Sequence, residues 1–93
     1  DSQIRDLISI GIWDISYHVF EQGQYARRTV KGFPDYLLCR SQDKRIVALE
    51  VKGTGGELTD DQVICLELLR LTRKVEVYAL WPEDSDLAVE ILR

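Results

Sequence analysis

The stretch GFPDYLLCRSQDKRIVALEVKG, residues 32–53, decides how this chain is read. Two apolar runs are each bounded by charge: Asp35 opens the first, and Glu50 and Lys52 close the second. The SQDK segment between them (41–44) has the make-up of a hairpin turn, so residues 35–40 and 45–52 are expected to form two antiparallel strands. Side chains on a strand alternate faces, which puts Ile46, Ala48, Glu50 and Lys52 on one face and Val47, Leu49 and Val51 on the other. Asp35 begins its strand where Lys52 ends its own, and a tight hairpin brings those ends together. Asp35, Glu50 and Lys52 are therefore expected at one corner of a sheet. A Glu-x-Lys pair at a strand end is ordinarily a solvated face with a weak ion pair, and Asp after Pro is a common turn residue. Their conjunction across a hairpin points instead to a chemical site.

On the N-terminal side, residues 2–10 carry Ile4, Leu7 and Ile8 at helical spacing, with Gly11 as a stop. Residues 15–20 alternate and are rich in β-formers, which predicts a strand, and 23–34 read as a loop ending in a Gly-Phe-Pro turn. On the C-terminal side, residues 58–74 switch to a helical period. Thr59 is a good N-cap, Asp60 and Asp61 suit the positive end of the helix dipole, and Arg70, Arg73 and Lys74 suit the negative end. Ile64, Leu68 and Leu71, widened by Val63, Leu66 and Leu69, are the expected buried stripe. Residues 75–81 predict a further strand stopped by Pro82, and Asp84 or Ser85 can cap a last helix over 86–93. The order α-β-β-β-α-β-α implies an α/β fold: a mixed sheet flanked by helices.

The chain's 93 residues fit one domain, 1–93, and 45% apolar with 30% charged residues marks a folded globular protein rather than a disordered one. A net charge of −4 argues against a broadly basic phosphate-binding surface. The charge is unevenly spread, however: residues 22–34 hold Arg27, Arg28 and Lys31 and no acid. Those three are candidate DNA-phosphate contacts, and Tyr25 beside them could stack on an unpaired base. Cys39 and Cys65, both in apolar segments, read as buried free thiols of a reducing compartment such as the cytoplasm, and a zinc site would need more Cys or His at short spacing than one distant histidine supplies.

The quoted motifs resemble a known signature. PD…EVK is similar to the PD-(D/E)xK nuclease superfamily. GFPDYLL, ALEVKG, GGELTDDQ and VEVYALW together resemble the VRR-Nuc family of virus-type replication-repair nucleases in its stand-alone, phage-type form. The resemblance runs from about Tyr17 onward. It implies a restriction-endonuclease-like fold and a metal-dependent endonuclease acting as a homodimer on branched DNA such as four-way junctions, in a bacterial or phage-infected cell. It further implies that Asp35 and Glu50 ligate Mg²⁺ or Mn²⁺ with the carbonyl of Val51, that Lys52 is the catalytic lysine, and that Gln62 is the helix glutamine near the site. The family also places a glutamate on the first helix near the metal. Residues 1–20 hold only Asp1, Asp6 and Asp14. Either an Asp stands in, or the glutamate lies upstream of residue 1, or the second metal site is weak.

This residue set suits phosphodiester hydrolysis. Mg²⁺ is bound through one or two carboxylates plus waters and substrate phosphate, and a lysine ammonium, cationic at neutral pH, can hold an attacking water and counter charge on phosphate. Gln62 has a second reading, because Thr59-Asp60-Asp61-Gln62 fits a capping box, and the two roles are compatible. The Gly53-Thr54-Gly55-Gly56 run lacks the spacing of a nucleotide-binding loop and reads as a turn. His18 reads as structural, and Trp13 and Trp81 as core or interface anchors. The alternative function is a catalytically idle nucleic-acid-binding or assembly module of the same fold. The intact Asp35, Glu50 and Lys52 speak against it.

Overall fold

A computed structural model describes residues 2–19 and 31–93. Helix α1 (Ser2–Ile10) leads into β1 (Ile15–His18), β2 (Tyr36–Arg40), β3 (Arg45–Val51), α2 (Asp60–Leu71), β4 (Glu76–Leu80) and α3 (Ser85–Leu92), the last entered through a 3₁₀ turn at Pro82–Asp84. The strands make one sheet in the order β1-β2-β3-β4. The first two pairings are antiparallel and the third is parallel. This is the mixed sheet of the expected element order, and it is consistent with the restriction-endonuclease-like fold.

Each face of the sheet has a different helix partner. Val47 and Leu49 of β3, Tyr36 and Leu38 of β2, and Leu80 of β4 form one core with Ile4, Leu7 and Ile8 of α1 and Ala88, Ile91 and Leu92 of α3. Full burial of such Leu and Val side chains stabilises by about 1.5–3 kcal/mol each. The strand's alternate residues, Ala48 and Glu50, are buried towards the opposite side, together with Val77 of β4 and Leu66 of α2.

The helix α2 departs from the expected stripe. Its Thr59 cap forms as predicted, with a capping box closed by Gln62. Yet Leu66 is the helix's one buried residue, and Val63, Ile64, Leu68 and Leu71 are exposed. Gln62 explains the rotation. Its side chain is drawn into polar contacts at the end of β3, which turns Leu66 and Leu69, four and seven residues on, towards the sheet. Ile64, Leu68 and Leu71 are then carried to the outside.

At the far end of the sheet, Trp13 is buried and donates its indole N–H to the carbonyl of Leu92 at 3.0 Å. The guanidinium groups of Arg40 and Arg45 lie over its ring at 4.3 and 5.1 Å. Arg45 also pairs with both carboxylate oxygens of Glu76 at 2.7 and 2.8 Å, and the Tyr78 hydroxyl donates to the same carboxylate. Hydrogen bonds from Arg45, then from Tyr78, hold the Glu76 carboxyl below its ordinary range against the opposing effect of burial. A folded-state value lowered in this way means that the pair's contribution is whole above the unfolded value near ~4.3 and is lost as pH falls through the folded value. The pair is partly solvated, so Glu76→Gln is expected to cost only about 0.5–1 kcal/mol at neutral pH. Urea titrations should show the gap between variant and wild type closing as pH drops below about 4. A gap that stays constant down to acid pH would overturn this account.

Candidate active site

The register of the hairpin positions the site. Tyr36 faces Leu49 across β2 and β3, so the next rung outward sets Asp35 opposite Glu50. Three bonds fix this end of the sheet. The Val19 N–H donates to the Asp35 carbonyl at 2.7 Å, extending the β1–β2 ladder. The Val51 N–H donates to Asp35 Oδ2 at 2.8 Å, pinning the carboxylate to the tip of β3. The Lys52 N–H donates to the Leu80 carbonyl at 2.8 Å, carrying the β3–β4 pairing one residue past β3.

Gln62 then ties the two charged groups together. Its amide nitrogen donates to Glu50 Oε2 at 3.3 Å, and its amide oxygen accepts from Lys52 Nζ at 2.9 Å. The same oxygen accepts the Thr59 backbone N–H at 2.8 Å, and the Gln62 N–H donates to Thr59 Oγ1 at 3.2 Å. Gln62 thus closes the helix cap as expected, and the same amide contacts Glu50 and Lys52. Glu50 is only 3% exposed. A carboxylate is rarely buried this deeply without specific partners, and its charge is felt nearby: burial and then Glu50 push the Cys65 thiol up.

Space flanks Asp35 on both sides. A cleft of about 430 Å³ is lined by Lys31, Phe33, Asp35, Thr59, Asp61 and Gln62 among others. A second, of about 310 Å³, is lined by His18, Asp35, Tyr36, Val51, Lys52 and Gly53. Asp35, Lys52 and Gln62 therefore border open grooves while Glu50 lies beneath. Oxygen donors from two carboxylates fit a hard divalent cation that keeps waters and takes substrate phosphate as a further ligand. Among the described residues, no group of three or more His, Cys, Asp or Glu side chains is placed to hold a metal. Asp14 does not replace the absent first-helix glutamate. It accepts from the Ser41 N–H and hydroxyl at 2.7 and 2.8 Å, next to the hairpin turn at the opposite end of the sheet. Asp1 lies outside the described residues.

The other expected residues divide. Lys31 lines the larger cleft and meets Asp61 at 3.5 Å, an exposed pair of little energetic weight. Tyr25, Arg27 and Arg28 lie outside the described residues. The glycine run is a turn, as expected: Gly56 N–H donates to the Gly53 carbonyl, and Trp81 Nε1 donates to the Gly56 carbonyl at 2.7 Å. Two residues come nearer to the site than their sequence context suggested. His18 stacks on Tyr36 with ring centres 4.4 Å apart and lines the smaller cleft; only the pairing of β1 with β2 could have revealed this. Gly32 packs on the first turn of α2, where a Cβ would lie 2.4 Å from the backbone carbon of Asp61. Its signal was the Gly-Phe-Pro turn immediately before Asp35.

A family model described as the VRR-NUC domain matches residues 16–80. The matched stretch opens in β1 and closes with the last residue of β4, so it contains Asp35, Glu50, Lys52 and Gln62. Searches of curated proteins and of solved structures returned no match.

Proposed function

The chain belongs to the VRR-NUC domain family, a nuclease family with DNA as its substrate, and on that premise we propose that it is a Mg²⁺- or Mn²⁺-dependent endonuclease that nicks branched DNA such as four-way junctions. The observation that carries this reading is the Gln62 bridge: one neutral amide joins buried Glu50 to Lys52, beside an Asp35 carboxylate anchored on Val51.

Asp35 and Glu50, with the carbonyl of Val51, would hold the ion. When bound, it supplies charge neutralisation at the phosphate and a more nucleophilic water. Asp35 borders both clefts, so a phosphodiester chain lying along them passes its carboxylate. Lys52 holds the attacking water and offsets the negative charge that grows on the phosphate oxygens. Gln62 holds the Lys52 ammonium beside Glu50 through one shared amide. Lys31 at the rim of the larger cleft meets the phosphate of a neighbouring nucleotide, and Arg27, Arg28 and Tyr25 are proposed to extend that contact. Cutting both strands symmetrically needs two such sites, which a twofold homodimer provides.

The test is a cleavage panel of labelled four-way junction, flap, bubble and linear duplex with Mg²⁺, Mn²⁺ or EDTA. Nicks are expected in branched substrates with either metal and none with EDTA. Absence of product across all metals and DNA shapes would instead favour the catalytically idle binding module.

A further inference from the structure

His18 is the chain's one histidine, and the fold sets it at the wall of the site. The β1–β2 register puts it directly opposite Tyr36, and the next rung outward is the bond from the Val19 N–H to the Asp35 carbonyl. The imidazole lies almost flat on the Tyr36 ring, with centres 4.4 Å apart and planes 11° from parallel. Tyr36 is itself anchored in the core that the sheet shares with α1 and α3, so the half-buried His18 rests on a rigid backing. Stacking engages the faces of a ring, whereas imidazole nitrogens donate and accept in the ring plane. The stack thus fixes the direction in which those nitrogens can bond.

His18, Lys52 and Asp35 all line the smaller cleft. Its side-chain nitrogen donors are the Lys52 ammonium and, in either tautomer, the His18 imidazole. Burial pushes the Tyr36 hydroxyl above its ordinary range, which makes that ring a neutral wall. His18 comes from the face of the sheet that packs on α1 and α3, while Lys52 leans towards Gln62 of α2. Nitrogen donors that reach an open groove from both faces of a sheet suit the oxygens of a nucleic-acid backbone. We propose that His18 binds the DNA phosphate next to the scissile one, on the flank of Asp35 away from Lys31. The strand is then held on both sides of the reacting phosphate, by Lys31 in the larger cleft and by His18 in the smaller. His18 grips substrate and takes no share in breaking the bond. The inference rests on the reading of these grooves as the path of DNA, and it gives the lone histidine a task that a purely structural stack does not require.

Gel shifts of a labelled four-way junction by the full chain in EDTA test this with no cleavage in play. His18→Phe keeps a flat ring on Tyr36 and removes both nitrogens, so it should weaken binding about fivefold while the melting temperature stays within about 4 °C of wild type. His18→Asn and His18→Gln place an amide N–H near one or the other ring nitrogen, and at least one of them should recover most of the loss. With Mg²⁺, the enzyme concentration that half-saturates single-turnover cleavage should rise about fivefold in His18→Phe, and the saturated rate should stay within about twofold. Because the chain has one histidine, its labelled imidazole nitrogens give unambiguous magnetic resonance signals. Deoxythymidine bisphosphate added in EDTA should shift them saturably, and that readout stands even if the chain cuts no DNA. Wild-type binding by His18→Phe, amide variants no better than His18→Phe, or imidazole signals that ignore the nucleotide would each overturn the proposal. So would a loss of binding that only follows a loss of folding.

Discussion

Lys52→Ala is expected to lower the rate of strand cleavage by a factor on the order of 10²–10³ while junction binding stays within a few-fold of wild type. The two readouts should separate because, on the proposed mechanism, the lysine serves position and chemistry through different atoms. Its backbone N–H extends the pairing with β4 by donating to Leu80, a bond that alanine keeps. Among the described residues its Nζ donates to Gln62, and Gln62 Oε1 retains the Thr59 N–H when the ammonium is gone. The cap of α2 therefore survives, as does the Asp35–Val51 bond. What disappears is a positive charge at the edge of the cleft, placed to act when charge builds on the phosphate. Binding of DNA, spread over many phosphates, loses one contact at most. Gel-shift and single-turnover cleavage assays on the same junction measure the two quantities side by side. Cleavage by the purified variant at near wild-type rate would remove Lys52 from the mechanism, and an equal loss of binding would reduce it to an anchor.

The second large effect lies in the backbone. Gly32→Ala is expected to destabilise the fold by about 3 kcal/mol, combining overpacking with the left-handed backbone penalty. Gly32 has φ near +81°, and a Cβ there would lie 2.5 Å from the Asp61 carbonyl oxygen and 2.7 Å from the Gln62 nitrogen. Neither neighbour is a flexible side-chain tip; both belong to the first turn of α2. The helix end would have to move outward, taking the Gln62 amide away from Glu50 and Lys52. In a chain of this size a cost of that order lowers the melting temperature by roughly 12–24 °C. Cleavage should also fall at temperatures where the variant is still folded. Gly53→Ala is the control: among the described residues nothing lies within 4 Å of a Cβ there, so a change within about 0.5 kcal/mol is expected. Thermal melts of the two variants check both statements. Equal melting temperatures would show that the Gly32 contact is not needed.

The hairpin carrying the site was legible because its information is local. Asp35, the SQDK turn and Glu50-Val51-Lys52 lie within one supersecondary unit, and alternation along β3 alone puts Glu50 and Lys52 on one face. The Thr59 cap was legible for the same reason. The orientation of α2 was not. Its apolar residues cover more than one face, so periodicity chose the stripe through Ile64, Leu68 and Leu71, whereas a polar contact between Gln62 and β3 fixed the opposite rotation. Such a contact depends on where β3 ends relative to α2, which no window of neighbouring residues reports. The approach of Gly32 to Asp61 and the stacking of His18 on Tyr36 are likewise products of tertiary placement.

The bond between the Trp13 indole and the Leu92 carbonyl spans 79 positions of the chain, and it clasps the segment before β1 to α3. A ring this large is entropically among the most expensive to close, so it should form late, after the central hairpin and its neighbouring strand have gathered. The stability of the first helix is then conditional on the last one having docked. Trp13 is thus a latch that closes only when α3 sits at this end of the sheet.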